Sequence, residues 1–326
     1  MVIFRFLFLI LTLTITFSAR SQQLTLSRMF YPNATLRADY IAPSQMSEDA
    51  KYGMTRTSFF GMVPVHSEVQ VGYSLRKKLD LRAVHTVLVG QFTQYQPTIS
   101  GIKEPDNGYK TGSLGAIRMQ ASIKDRLWVY GAGIGITESN ETFFTPQPWL
   151  WGGAARMRVF GLQSQLIYGS ILVYNQKLRV IPIVGVNKRF ARNWRATAIL
   201  PFVANVNYKT SPWFNVDMMA GFNGYSGGFQ VHTPEEKLLR RSNYQHLKLG
   251  VAANLHLFTV LNISLEAGLT GFRTLRTFNS ARQNLEAYSP QAAPYIGASV
   301  RYFSSRSGMS SRFTKRLGLG DKGLIW

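Results

Sequence analysis

The chain of 326 residues carries 37 Lys and Arg against 16 Asp and Glu, a formal charge of +21, and has no cysteine. The missing thiols exclude disulfides, thiolate catalysis, iron–sulfur clusters and Cys-ligated zinc, and with them a lipid anchor on an N-terminal cysteine. Only 16% of residues are charged, beside 28 Gly, 21 Phe, 15 Tyr and 6 Trp, a balance that suits a β protein whose outer face meets lipid.

Residues Met1–Thr16 have the pattern of a signal peptide. Arg5 and the free amine precede the apolar run Phe6–Phe17, and Ala19 and Ser21 stand at the small-residue positions, so cleavage is expected before Gln22. Beyond residue 21 no stretch of 18 or more uninterrupted apolar residues follows, which argues against an inner-membrane helical protein. Removing Arg5 and Arg20 leaves 35 basic against 16 acidic residues, or +19, in the expected mature chain.

Thirteen strand-like segments follow. They are Leu26–Ile41, Met54–Leu75, Leu79–Gln96, Tyr109–Ile123, Leu127–Glu138, Trp149–Phe160, Leu162–Tyr174, Leu178–Phe190, Trp194–Tyr208, Trp213–Tyr225, Gln245–Phe258, Leu261–Arg273 and Pro294–Phe303. Single-chain bacterial barrels use even strand numbers, so the expectation is an all-β, antiparallel transmembrane barrel of about 12 strands, within 10–14, spanning residues 22–303.

Pro43–Gly53, Ile99–Gly108, Ser139–Pro148, Thr233–Asn243 and Thr274–Pro290 are expected as extracellular loops, with a helical turn or two over Glu235–Arg241. The short breaks at Arg76–Asp80, Lys124–Arg126, Arg189–Asn193 and Phe258–Val260 are expected as periplasmic turns. Basic residues gather at such breaks, as in Arg76-Lys77-Lys78, and this placement favours contact with outer-membrane lipid phosphates over a basic lumen. Nucleic acid is not expected as a partner, because the charge comes with no binding module.

Val65-His66-Ser67-Glu68 is the one compact cluster with catalytic side chains. In a strand His66 and Glu68 share a face roughly 7 Å apart, whereas Ser67 points away and cannot be the nucleophile. A polar residue facing the lumen is the plainer reading of His66. In Leu127–Ile136, Trp128, Tyr130, Ala132, Ile134 and Ile136 alternate with Gly131, Gly133 and Gly135, a row that signals close approach of other groups or a bend in the wall.

In Trp194–Tyr208 the even-numbered residues are apolar and aromatic and Arg195 lies opposite. Tyr244–Leu257 places Leu247, Leu249, Val251, Ala253 and Leu255 on one face and His246, Lys248, Asn254 and His256 on the other. After a short break, Asn262, Ser264 and Glu266 alternate with Leu261, Ile263 and Leu265, which makes an antiparallel hairpin. Lys248 and Glu266 then share the lumen face and are expected to pair. His246 and His256 lie roughly 33 Å apart at normal strand rise and cannot share a metal. No metal site and no cofactor are expected.

Tyr295-Ile-Gly297-Ala-Ser-Val300-Arg-Tyr302-Phe303 resembles the terminal strand that the barrel-assembly machinery reads in outer-membrane proteins. It differs in being followed by the basic tail 304–326, which is expected to be flexible and to offer a docking element to a periplasmic partner. With the leader ending before Gln22-Gln23, the Tyr40-Ile-Ala-Pro43 stretch and the prolines after Val63 and Leu200, the chain resembles uncharacterised outer-membrane β-barrel proteins of Bacteroidota. The resemblance implies location and fold and carries no activity. The functional expectation is a narrow channel or transport component for small solutes with a mild anion preference. A lipid- or lipopolysaccharide-modifying enzyme and a structural or assembly partner are the alternatives.

Overall fold

The computed structural model describes residues 34–73, 79–100, 108–122, 126–139, 146–160, 164–175, 177–232, 237–257, 260–279 and 283–303. The expected signal peptide (1–21), the start of the expected first strand and the basic tail (304–326) lie outside them. Every described element is a strand: β1 (Ala34–Gln45), β2 (Lys51–Tyr73), β3 (Leu79–Ser100), β4 (Tyr109–Ser122), β5 (Arg126–Ser139), β6 (Gln147–Phe160), β7 (Ser164–Asn175) and β8 (Lys177–Arg189). Then come β9 (Trp194–Leu200), β10 (Val203–Lys209), β11 (Phe214–His232), β12 (Lys237–Leu257), β13 (Leu261–Phe278), β14 (Asn284–Tyr288) and β15 (Ala293–Tyr302).

Neighbours in sequence pair antiparallel from β1 through β13, and β15 closes the ring between β13 and β1. The wall therefore has fourteen strands, with short β14 added to the end of β13. The ring is complete where β8, β9, β10 and β11 pair in turn, and a closed antiparallel ladder of this kind satisfies strand backbones in lipid. Alternation does the rest. In β15, Ala293, Tyr295, Gly297, Ser299 and Arg301 are buried inward and Pro294, Ile296, Ala298, Val300 and Tyr302 are exposed. Leu114, Ile134, Leu249, Val251, Leu265 and Leu269 are among the exposed residues of the same outer face. A wall that is apolar outside and polar over much of its inside is that of an outer-membrane-type barrel.

The count exceeds the twelve expected because Trp194–Tyr208 is two strands. It folds back at Pro201, so that Ile199 faces Val203 and Trp194 faces Tyr208. Proline has no N–H to give a ladder and suits the turn. With this hairpin in place the connections alternate between the two ends: those after β2, β4, β6, β8, β10 and β12 are short and share one end with Ala34 and Tyr302, while at the other end β8 starts at Lys177 just after β7 ends at Asn175, and β10 at Val203 just after β9 ends at Leu200. The opposite end is less loop-like than expected. Within Pro43–Gly53, β1 runs to Gln45 and β2 starts at Lys51, and within Thr274–Pro290, β13 continues to Phe278. The helical turn expected at Glu235–Arg241 is replaced by strand from Lys237, because the β11–β12 ladder continues up to His232 facing Lys237.

Bulges change facing in β1, between Ile41 and Ser44, and in β2 and β13. Pro64 faces Val87 and His66 faces Thr86, which leaves Val65 extra in β2. In β13, Gly271 faces Leu247 and Thr274 faces Gln245, and Phe272 takes a left-handed φ of 48° and points out. Beyond it, Arg273 and Leu275 face inward where the preceding alternation would point them out.

The two sides of the interior differ. On the β3–β9 side, Val87, Val89, Met119, Met157, Ile167, Ile183 and Ile199 are buried with Leu127 and Trp151 packed among them. The glycine row of β5 makes room for two indoles from β6: a Cβ on Gly133 would lie 2.6 Å from Trp151 Nε1, and one on Gly135 2.6 Å from Trp149 Nε1. Close approach, one of the two expected meanings of that row, is what it provides.

Candidate lumen site

The remaining side, β10–β13 with β15, β1 and β2, is polar. Alternation in β1 sets Arg37 and Asp39 inward between Leu36, Ala38 and Tyr40. Closure then brings Asp39 beside Gly297 of β15, and Gly297 beside Glu266 of β13. The glycine clears the gap between the two carboxylates, for a Cβ there would stand 2.6 Å from Asp39 Oδ1.

Three cations fill the space around these acids. The Arg37 guanidinium grips Asp39 through Nε at 3.0 Å and Nη2 at 2.9 Å, and its Nη2 also donates to Glu266. Lys248 Nζ donates to Asp39 Oδ1 at 2.9 Å and stands 4.0 Å from Glu266 Oε1. Arg56 Nη1 lies 3.8 Å from Asp39 Oδ2 and donates at 2.9 Å to Asn223 on β11. Lys248 also sits 4.4 Å from the centre of the Tyr295 ring, a cation–π distance. The layer holds one more cation than carboxylate and ties β1, β2, β11, β12 and β13 together.

Toward the turn end lies an amide layer. Asn254 Nδ2 donates to Asn215 Oδ1 and Asp217 Oδ2, each at 2.8 Å, and Asn207 Nδ2 donates to Asn215 Oδ1 at 3.1 Å and also to Asp217. His256 bridges Asn215 and Asn262, its Nδ1 3.0 Å from the Asn262 amide. Toward the loop end lies an aromatic layer. Tyr52 and Tyr225 share a hydroxyl hydrogen bond of 3.1 Å, and Tyr225 stacks on Tyr109, ring centres 4.9 Å apart. Tyr109 comes from β4 on the opposite wall, and Gly227 leaves the space for its ring. Arg273 donates to Tyr244 Oη at 2.9 Å, to the Tyr52 carbonyl at 2.9 Å and to the Gln291 carbonyl at 2.8 Å. Side chains thus cross the lumen at two levels.

The residues singled out in the sequence fall as follows. His246, Lys248, Asn254, Asn262, Ser264 and Glu266 are buried on the inner face, with half-buried His256 in the amide layer. His246 stacks on Tyr244, ring centres 5.1 Å apart. Arg195 lies beside Asn207 and Arg189 at the turn end. His66 departs from the lumen-facing position expected of it: the bulge at Val65 sets it opposite Thr86, exposed on the outer face. The Glu68 side chain lies outside the described residues. Sequence reasoning missed Arg37, Asp39, Arg56, Asp217 and Arg273. Arg37 and Asp39, two charges at alternate positions in an apolar strand, left a readable signal.

No protein-family model matches the chain, and no curated protein sequence matches it. Among solved structures, it is similar to the β-domain of the Bordetella autotransporter BrkA, at 8% identity, with 84% of this chain and 99% of that one covered and a TM-score of 0.31. It is similar also to the transport unit of the Escherichia coli autotransporter AIDA-I, at 8% identity, with 87% and 91% covered and a TM-score of 0.29.

Proposed function

We propose that the chain is an outer-membrane barrel that forms a narrow path for small solutes, closed at rest by its own side chains and mildly selective for anions. The layer of Arg37, Arg56 and Lys248 around Asp39 and Glu266 carries this reading. Charges inside a membrane-spanning wall are costly and commonly serve a pathway. Here they are held by side chains alone, so rotamer changes open the path without moving a strand. Among the described residues of the inner face, basic side chains such as Arg37, Arg56, Arg195, Lys248, Arg273 and Arg301 outnumber acids such as Asp39, Asp217 and Glu266, which sets the sign of the preference. The test is the reversal potential of the refolded protein in a planar bilayer under a salt gradient. Anion-preferring steps that turn toward cations in Lys248→Glu support the reading, and insertion without any conduction contradicts it.

A further inference from the structure

The wall has a gap. β9 and β10 are seven residues long each, against the roughly 9–11 that a tilted strand needs to cross the hydrocarbon. β8 pairs with β9 only over Val184–Arg189, and β11 pairs with β10 only over Asn215–Gly221, with Phe222 N–H donating to the Phe202 carbonyl at 3.0 Å just beyond. Above the Pro201 turn, Lys177–Ile183 of β8 and Asn223–His232 of β11 therefore have no described strand on the sides that face each other. At ordinary strand spacing their backbones stand roughly 14 Å apart at the base of this notch. The flanking outward side chains Val180, Val184, Leu200 and Phe222 are apolar and 57–61% exposed, so the notch opens at the level of lipid.

Behind it lies a cavity of about 260 Å³. Gly224, Tyr225 and Ser226 line it from the free edge of β11, with residues of both facings contributing, as they do where a cavity reaches an edge. Elsewhere Gln91, Thr111, Thr137 and Asn175 present hydroxyls and amides beside Trp149, and among the described residues no charged side chain takes part. Asn175 Oδ1 is buried with no hydrogen-bond partner among the described residues, and a buried acceptor calls for a donor.

We propose that this cavity binds, through the notch, an amphiphile from the surrounding lipid whose headgroup is uncharged and rich in hydroxyls. The cavity lies below the roughly 300–1,000 Å³ of sites that enclose a drug-sized ligand. It accepts a headgroup, and the acyl chain leaves over Pro201 into the membrane. Hydroxyl donors satisfy Asn175, and the sugar-like ring face rests on Trp149. This does not depend on conduction.

The probe is n-dodecyl-β-D-maltoside, added below solubilising concentration to the full mature chain in phosphatidylcholine vesicles. Maltose tests the headgroup without a tail, and dodecylphosphocholine tests the tail with a charged headgroup. Emission from Trp149 is read in a variant with the other tryptophans changed to Phe, and retention of the maltoside by the unaltered chain is counted by native mass spectrometry. The expected result is a saturable response to the maltoside alone, weakened several-fold in Asn175→Leu, and quenching of Trp149 by phosphatidylcholine brominated on its acyl chains. An equal response to maltose, an equal response to dodecylphosphocholine, or no saturable binding in either measurement overturns the proposal.

Discussion

Asp39 holds three cations, and its removal tests the charged layer most sharply. Asp39→Asn leaves Arg37, Lys248 and Arg56 with Glu266 as the one carboxylate among the layer's residues. Breaking a buried ion pair from one side costs about 3–5 kcal/mol, and a loss of that order is expected in urea unfolding of the barrel in lipid vesicles. The Lys248–Glu266 neighbourhood was legible, because period-two alternation sets both residues on one face of one hairpin. Asp39 was not, because its place beside Glu266 depends on ring closure through β15, which joins positions 227 residues apart. Arg273 was hidden for a local reason: the bulge at Phe272 reverses the facing that Leu261–Leu269 establish.

At the scale of the element, the β9–β10 hairpin shows why alternation misleads. Its paired residues, Ala198 with Ala204 and Ala196 with Val206, have the same parity, so the pattern runs through the turn as through one long strand. Only Pro201 marks the fold-back. The glycine row of β5 announced close approach, but the indoles it admits come from the next strand and no local pattern reveals them. Gly133→Val would push into Trp151 and the Leu114 carbonyl, and the expected outcome is loss of the heat-resistant compact band when the barrel is refolded and run on a gel. On the outer face of β13, Leu265→Arg is expected to cost about 2–4 kcal/mol near the bilayer midplane, read as lowered stability in lipid relative to Leu265→Ala. The long hairpins β2–β3 and β11–β12 shorten the expected loops because ladder pairing continues to satisfy the backbone where polar sequence suggested coil.

The whole molecule is one wall around two kinds of interior, an apolar pack on the β3–β9 side and ionic, amide and tyrosine layers on the other. Fold class, wall facing and the residues of the β12–β13 hairpin were readable from period and composition. The contact of Tyr109 with Tyr225 across the barrel was not, since it joins side chains of strands on opposite walls. On the proposed function, a path held shut by ion pairs opens when an acid in the layer is neutralised. The most direct measurement is therefore single-channel recording of Glu266→Gln beside the unaltered protein at matched insertion. Longer or more frequent anion-preferring openings in Glu266→Gln are predicted. Two proteins that insert equally and conduct nothing, or openings that favour cations, would contradict the account.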